Sequence, residues 1–255
     1  MTDLIDSIVS TRARAREPVV GQNQFLVRMP ASDFAFLGPH LIETVFDPGV
    51  VLQEPGQVLR RVYFPHSGLV SVMGVLPDGR GIDAATIGRE GAIGLSAGLG
   101  SRVAVSRAVV QFQMRAAYVE AEFFAQTTKR SAGLRAMIAC HNDMLLAHMQ
   151  QSAACNAVHP VQARLCRWLA QARDRVGDDT LPVTQQLLSD LLGVQRTTVT
   201  IISRALQSEG IIDVRRGRIH IRDGGALEAK ACGCYGAVRD LAARIGSAYD
   251  DNGQT

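Results

Sequence analysis

The stretch from residue 183 to residue 222, VTQQLLSDLLGVQRTTVTIISRALQSEGIIDVRRGRIHIR, constrains this chain more than any other. Thr184 is a good N-cap, and Leu187, Leu188, Leu191 and Leu192 follow it at helical spacing. Gly193 supplies a residue that takes positive φ in a tight turn. A second helix can start near Gln195 and carries Val199, Ile202 and Leu206 on one face. Two short helices across a glycine turn make a helix-turn-helix. The exposed positions of the second helix are Arg196, Thr197, Thr200 and Arg204, a polar set with no carboxylate, suited to the DNA major groove. After Gly210, an apolar run (211–214), the basic Arg215-Arg216-Gly217-Arg218 and the run 219–221 predict a β-hairpin wing whose arginines meet phosphate. The plain alternative is a small helical bundle with a surface hairpin. The cap, the acid-free helix and the basic tip together favour DNA.

Charge distribution agrees with that choice. The whole chain carries only +3, yet residues 160 to 222 hold ten arginines against six acids, a balance of +4. The 255 residues fit one large domain or two ordinary ones, and a hydrophobic content of 47% is enough for real cores. Five cysteines, an odd number, argue against a disulfide framework and for a reducing compartment. No basic start with an apolar run opens the sequence, and no apolar run reaches membrane-spanning length, so a cytoplasmic protein is expected.

In chain order, residues 1 to 20, with Arg12, Arg14 and Arg16 among alanines, are expected to be a disordered tail. Residues 21 to 130 form the next unit. Its first part, to residue 42, has helix-like spacing broken by Pro30 and Pro39. From Thr44 to Gln113, turn signals such as Glu54-Pro55-Gly56, Pro77-Asp78-Gly79 and Gly88-Arg89-Glu90-Gly91 separate short β-rich runs at 50–52, 62–64, 69–73, 82–87 and 103–105. That texture predicts a small antiparallel roll, jelly-roll-like, able to hold a ligand. From Ala121 the pattern turns helical. Residues 131 to 156 predict a long helix with the stripe Leu134, Met137, Ile138, His141, Met144, Leu145 and His148, continuing to Cys155. Such spacing reads as a coiled-coil seam and predicts a two-fold dimer; the alternative is that the stripe packs on its own roll. Residues 156 to 160 are the candidate hinge. Residues 157 to 223 form the winged domain, and 224 to 255 a helical extension. The fold class expected is α+β.

The order roll, long helix, hinge, winged helix-turn-helix resembles the Crp/Fnr family of bacterial transcription regulators over about residues 21 to 223. The residues that carry it are Glu54-Pro55-Gly56, the segments 62–72 and 88–95, and above all Val194-Gln195-Arg196-Thr197-Thr198-Val199. The resemblance implies a homodimer that binds a palindrome, senses a signal in the roll, and has RNA polymerase as a candidate partner. The family's cyclic-nucleotide binders have a glutamate after the glycine matched by Gly94; here it is Leu95. Their phosphate-binding Arg-Ser or Arg-Thr pair is matched only by Arg102, with Val103 after it. The plainer reading of Arg102 is a solvated loop arginine. The resemblance therefore implies an effector other than cyclic AMP, or none. In the recognition helix, Arg196 matches the family's first arginine, while Thr197 replaces a glutamate and Ile201 a second arginine. Arg196 suits guanine and Thr197 a thymine methyl or neighbouring base, with Thr184, Gln195 and Thr198 placed for phosphate. No cysteine precedes Cys140, so the family's N-terminal iron–sulfur group is absent from the sequence, and no haem-attachment motif occurs.

Two further features carry possible chemistry. Cys232-Gly233-Cys234 offers two thiols for a metal or redox pair, with Cys166 or His220 as conceivable partners. A metal- or thiol-responsive sensor is thus the alternative function, against incidental thiols. His141 and His148, a heptad apart, could meet their copies across a two-fold axis, against the plainer reading of tolerated polar seam residues. No nucleophile elbow, phosphate loop or HExxH motif is present, so no enzyme and no cofactor is expected. A small-molecule enzyme or binding module with an idle helix-turn-helix is the third reading.

Overall fold

The computed structural model describes residues 23–252; the N-terminal tail with Arg12, Arg14 and Arg16 lies outside them. Two short helices, α1 (Gln24–Arg28) and α2 (Ala31–Leu37), come first. Strands β1 (Ile42–Phe46), β2 (Val51–Gln53), β3 (Arg61–Pro65), β4 (Leu69–Val75), β5 (Gly81–Ile87), β6 (Arg107–Phe112) and β7 (Met114–Glu120) build the roll. They form two antiparallel sheets, ordered β1-β7-β3 and β2-β6-β4-β5. The run at 103–105 makes only one bridge, from Val103 to Val58, and the long strand lies just after it at β6. Val105 is 87% exposed, so no second face exists there for a strand to bury.

Period-two alternation builds the layers. Tyr63, Met114 and Ala116 point between the sheets, where they meet Phe46, Val70, Val72, Ile87 and Val110. Their neighbours Val62, Phe64, Ala117 and Val119 point to the opposite face of the three-stranded sheet. That face is covered by α1 and by helices α3 (Ala121–Arg130) and α4 (Ala132–Val158), through Phe25, Phe124, Leu134 and Ile138. The outer face of the four-stranded sheet presents Leu69, Met73 and Phe112 to the C-terminal half. Leu69 and Met73, four residues apart on β4, share that side by simple alternation, while Val70 and Val72 point inward.

The winged domain seats on this second face. It comprises α5 (Val161–Val176), β8 (Thr180–Leu181), α6 (Gln185–Leu192), α7 (Arg196–Ser208), β9 (Ile212–Arg215) and β10 (Arg218–Ile221). The wing is a three-stranded sheet, β8-β10-β9. Trp168 of α5 is the largest side chain in the shared core and meets Phe112 edge-on at 6.3 Å. The extension forms α8 (Gly224–Lys230), packed on α5, and α9 (Cys234–Asn252), which lies along α4. Helix α4 runs to Val158, so the break falls at His159 and Pro160, the tight end of the expected hinge.

Candidate nucleic-acid interface

The helix-turn-helix is assembled by local signals. The Thr184 hydroxyl accepts the amide of Leu187 at 3.0 Å and starts α6. Gly193 closes α6 at φ 65°, which a side-chain-bearing residue adopts at a cost of roughly 1 kcal/mol or more. A methyl group there would also sit 2.8 Å from the Ile82 side chain of β5, so the turn rests on the roll. Helix α7 turns Val199, Ser203 and Leu206 inward. Gln195, Arg196, Thr197 and Arg204 are exposed and Thr198 is half-buried. Thr200 is placed differently from its expected role. Its hydroxyl bonds the Gln185 side chain at 2.8 Å and the Arg196 carbonyl at 3.0 Å, so it ties α7 to α6. Ile201 is 67% exposed on the same outer face, an apolar group available to a thymine methyl.

The wing tip turns at Arg216-Gly217, with Gly217 at φ 77°. Arg215, Arg216 and Arg218 are exposed. Asp213 bonds Arg215 at 3.0 Å and lies 3.6 Å from Arg222, and the hydrogen bond from Arg215 holds its carboxyl below the usual range. Arg216 and Arg218 are therefore the wing's stronger positive ends.

The seam residues are placed in the chain's own core. Leu134, Met137 and Ile138 pack beneath the three-stranded sheet, and Leu145 against the roll interior. Met144 is half-buried. His141 accepts the backbone amide of Ala92 on Nε2 at 3.2 Å, which requires the neutral ring. Burial holds its pKa down at about 4. His148 lies 3.5 Å from Arg175, and burial with the adjacent Arg175 and Arg167 holds it at about 3. Both histidines are buried and make their contacts within the chain. A long helix carries several apolar faces, and heptad spacing alone does not say which one meets the roll. The outer face of α4 is instead the run Ala132, Ala136, Ala139, Asp143, Leu146, Gln150, Ala153 and Ala157, alternately four and three residues apart and exposed throughout.

Contacts between the two halves cluster at α5. Trp168 donates its indole N–H to Asp83 at 3.0 Å, and burial raises that carboxyl to about 6. Arg175 donates to the Thr86 carbonyl at 2.9 Å and pairs with Glu90 at 3.1 Å. The 88–91 loop therefore touches α5 through Glu90, and the adjacent Ala92 touches α4 through His141. A cleft of about 230 Å³ opens here, lined by Arg89, Glu90, Asp174, Arg175, Tyr235 and Arg239 among others.

The residues matched to an effector pocket differ in exposure. Gly94 takes φ 87°, and a Cβ there would lie 2.7 Å from the Arg61 carbonyl, so both the backbone and the space require glycine. Leu95 is buried in the apolar cluster with Phe64, Phe124 and Ile138. Arg102 is exposed, and its carbonyl accepts the Leu59 amide at 2.7 Å. The interior between the sheets is filled by the aromatic and aliphatic side chains named above.

Cys232 and Cys234 meet neither of the partners named from the sequence. Cys166 is buried in the α5 core, where burial pushes its thiol to about 11. His220 bonds Thr180 at 3.0 Å. The residues beside the two cysteines are Cys155 and His159, at the end of α4. Their i, i+4 spacing on a helix end, together with the Cys-x-Cys, is the signal that sequence reading passed over.

A winged helix-turn-helix seated on a β-roll and joined to it by one long helix is the architecture that presents the outer face of α7. Residues 163–230 match the Crp-like helix-turn-helix domain. FixK2 from Bradyrhizobium japonicum is similar in fold, with a TM-score of 0.65 at 15% identity over 75% of this chain and 98% of that one. The c-di-GMP-responsive regulator CLP of Xanthomonas campestris gives 0.61 at 18%, over 76% and 100%. A CRP-family transcriptional regulator of Thermus thermophilus gives 0.62 at 22%, over 74% and 96%. No curated protein matches the sequence. Residues 163–230 thus match a Crp-like helix-turn-helix domain, and the chain shares the fold of these regulators. Among the described residues no helix is long and apolar enough to cross a membrane.

Proposed function

We propose that this chain is a homodimeric, cytoplasmic, sequence-specific transcription regulator that reads a palindromic site. The observation that carries the reading is the exposed, carboxylate-free outer face of α7, with Arg196, Thr197, Ile201 and Arg204 outward beside a basic wing tip. Arg196 and Thr197 contact bases and Ile201 a thymine methyl. Gln195 and Thr198, with Arg215, Arg216 and Arg218, contact phosphate. Thr184 and Thr200 hold the motif together. Pairing runs through the outer face of α4, whose alternating spacing and small residues suit close helix contact, with Leu146, 53% exposed, at its centre.

Cyclic AMP is not the effector in this reading. The position expected to hold ribose is buried Leu95, and Arg102 is exposed to solvent. A signal that acted through the 88–91 loop would reach both α4 and α5 by His141 and Arg175. Selection of duplexes from a random library by the full-length protein tests the proposal. A two-fold-symmetric consensus supports it; recovery of only asymmetric or unrelated sequences overturns it.

A further inference from the structure

We propose that Cys155, His159, Cys232 and Cys234 form a tetrahedral zinc site that fastens the C-terminal extension to the end of α4. The four ligand atoms all lie within 4.8 Å of one another. Cys155 Sγ is 3.4 Å from Cys232 Sγ, and Cys234 Sγ is 3.5 Å from His159 Nδ1. Zinc bonds of about 2.3 Å to sulfur and about 2.0–2.1 Å to nitrogen place neighbouring sulfurs roughly 3.8 Å apart, and sulfur and nitrogen roughly 3.6 Å apart. The observed separations are already close to the edges of that tetrahedron. They suit one ion, not a polynuclear cluster. Three thiols and an imidazole select a borderline-soft divalent cation over calcium or magnesium.

The surroundings fit the charge as well as the shape. Three thiolates around Zn²⁺ leave a net negative centre. Two buried guanidiniums stand beside it: Arg164 donates to Asn156 at 3.0 Å, and Arg167 reaches Ser152 at 3.4 Å, on either side of Cys155 along the chain. Among the described residues neither arginine is in ion-pair reach of a carboxylate, and Arg167 Nε is buried with no partner. Burying two unpaired cations is costly, and a negative metal centre offsets that cost. Gln151 donates to Cys234 Sγ at 3.0 Å, the outer-shell hydrogen bond a ligating thiolate takes. The apolar cluster at this point consists of the three cysteines and Ala163, whereas the extension's apolar anchors Leu227 and Tyr235 lie in the α5 core.

The position gives the ion a mechanical role. His159 caps the end of α4, and the next residue, Pro160, is the N-cap of α5. Cys232 lies just after α8, which packs on α5, and Cys234 opens α9, which packs on α4. One ion would thus clamp both helices that flank the hinge. That this clamp tunes operator affinity rests on the DNA-binding reading above; the metal site itself does not.

The test is made on the full chain, purified under reducing conditions without a metal-affinity step. Elemental analysis should find one zinc per chain. Exchange into Co²⁺ should give a thiolate-to-cobalt charge-transfer band and the visible ligand-field bands of a tetrahedral ion. Cys155→Ser and Cys234→Ser should each lose most of the metal and the cobalt spectrum, whereas Cys140→Ser and Cys166→Ser keep both. If the serine variants fail to fold, the wild type treated with a chelator and then titrated with Zn²⁺ gives the same answer, through a rise in melting temperature at one equivalent. A reduced wild type that takes up no Zn²⁺ and gives no cobalt spectrum overturns the proposal. So does a Cys155–Cys232 disulfide in the anaerobically purified chain. Metal binding without any DNA binding would leave the site standing and sink the regulatory reading instead.

Discussion

Replacing His141 by Gln should flatten the acid sensitivity of folding. The ring is buried, it accepts the Ala92 amide on Nε2, and its pKa is held at about 4 against an ordinary value of 6.5. Between those two values the unfolded chain binds a proton that the folded chain does not. Stability is therefore intact above about 6.5 and falls as pH drops toward 4. At about pH 5 the difference amounts to about 2 kcal/mol for this one ring. His148, held at about 3, adds a change of the same sign. Asp83, raised to about 6, opposes both: its folded carboxyl takes a proton before the unfolded one does, so its contribution grows as pH falls through 6. Those two groups are common to wild type and variant, so they cancel in the comparison. A glutamine carbonyl can still accept the Ala92 amide. Urea unfolding at about pH 7.5 and about pH 5 is the assay. Wild type should lose about 2 kcal/mol more than His141→Gln between the two conditions. Equal losses would mean that the ring titrates as it does in water, and the placement of this face of α4 against the roll would be wrong.

Other residues give expectations of their own. Arg216→Ala should weaken all duplexes about equally and lower the log–log salt slope by about 1, measured by anisotropy titration at several salt concentrations. Leu146→Asp should shift the protein from dimer to monomer in sedimentation equilibrium with the fold retained by circular dichroism; a dimer as tight as wild type would place the interface elsewhere. Thr184→Ala removes the cap of α6 and should cost about 1 kcal/mol in denaturant unfolding, while an unchanged midpoint would show the cap to be idle.

What is legible in the sequence is what is decided locally. The cap at Thr184, the glycine turn at 193 and the switch from helical spacing to strand alternation after Gly210 each involve neighbours a few residues apart. The turn glycines of the roll are of the same kind. Less legible is anything that depends on which face meets which layer. Helix α4 has its roll-facing stripe through Leu134, Ile138 and His141 and a second, small-residue face through Ala136, Ala139 and Leu146; heptad spacing is common to both. Thr200 reads as a base contact because it lies on the polar side of α7, but its hydroxyl is taken by Gln185, fifteen residues earlier. The partners of Cys232 and Cys234 stand more than seventy residues away, at a helix end whose position in space only the packing of α9 on α4 determines.

The central statement is that α7 reads base edges through Arg196. Binding-site selection run in parallel on wild type and Arg196→Ala tests it most directly. The expected result is a symmetric consensus in which one base pair of each half-site loses its identity in the variant, with a cost of roughly 1–3 kcal/mol at that pair. An unchanged consensus, with affinity reduced evenly or not at all, would contradict it and move the reading surface off this helix.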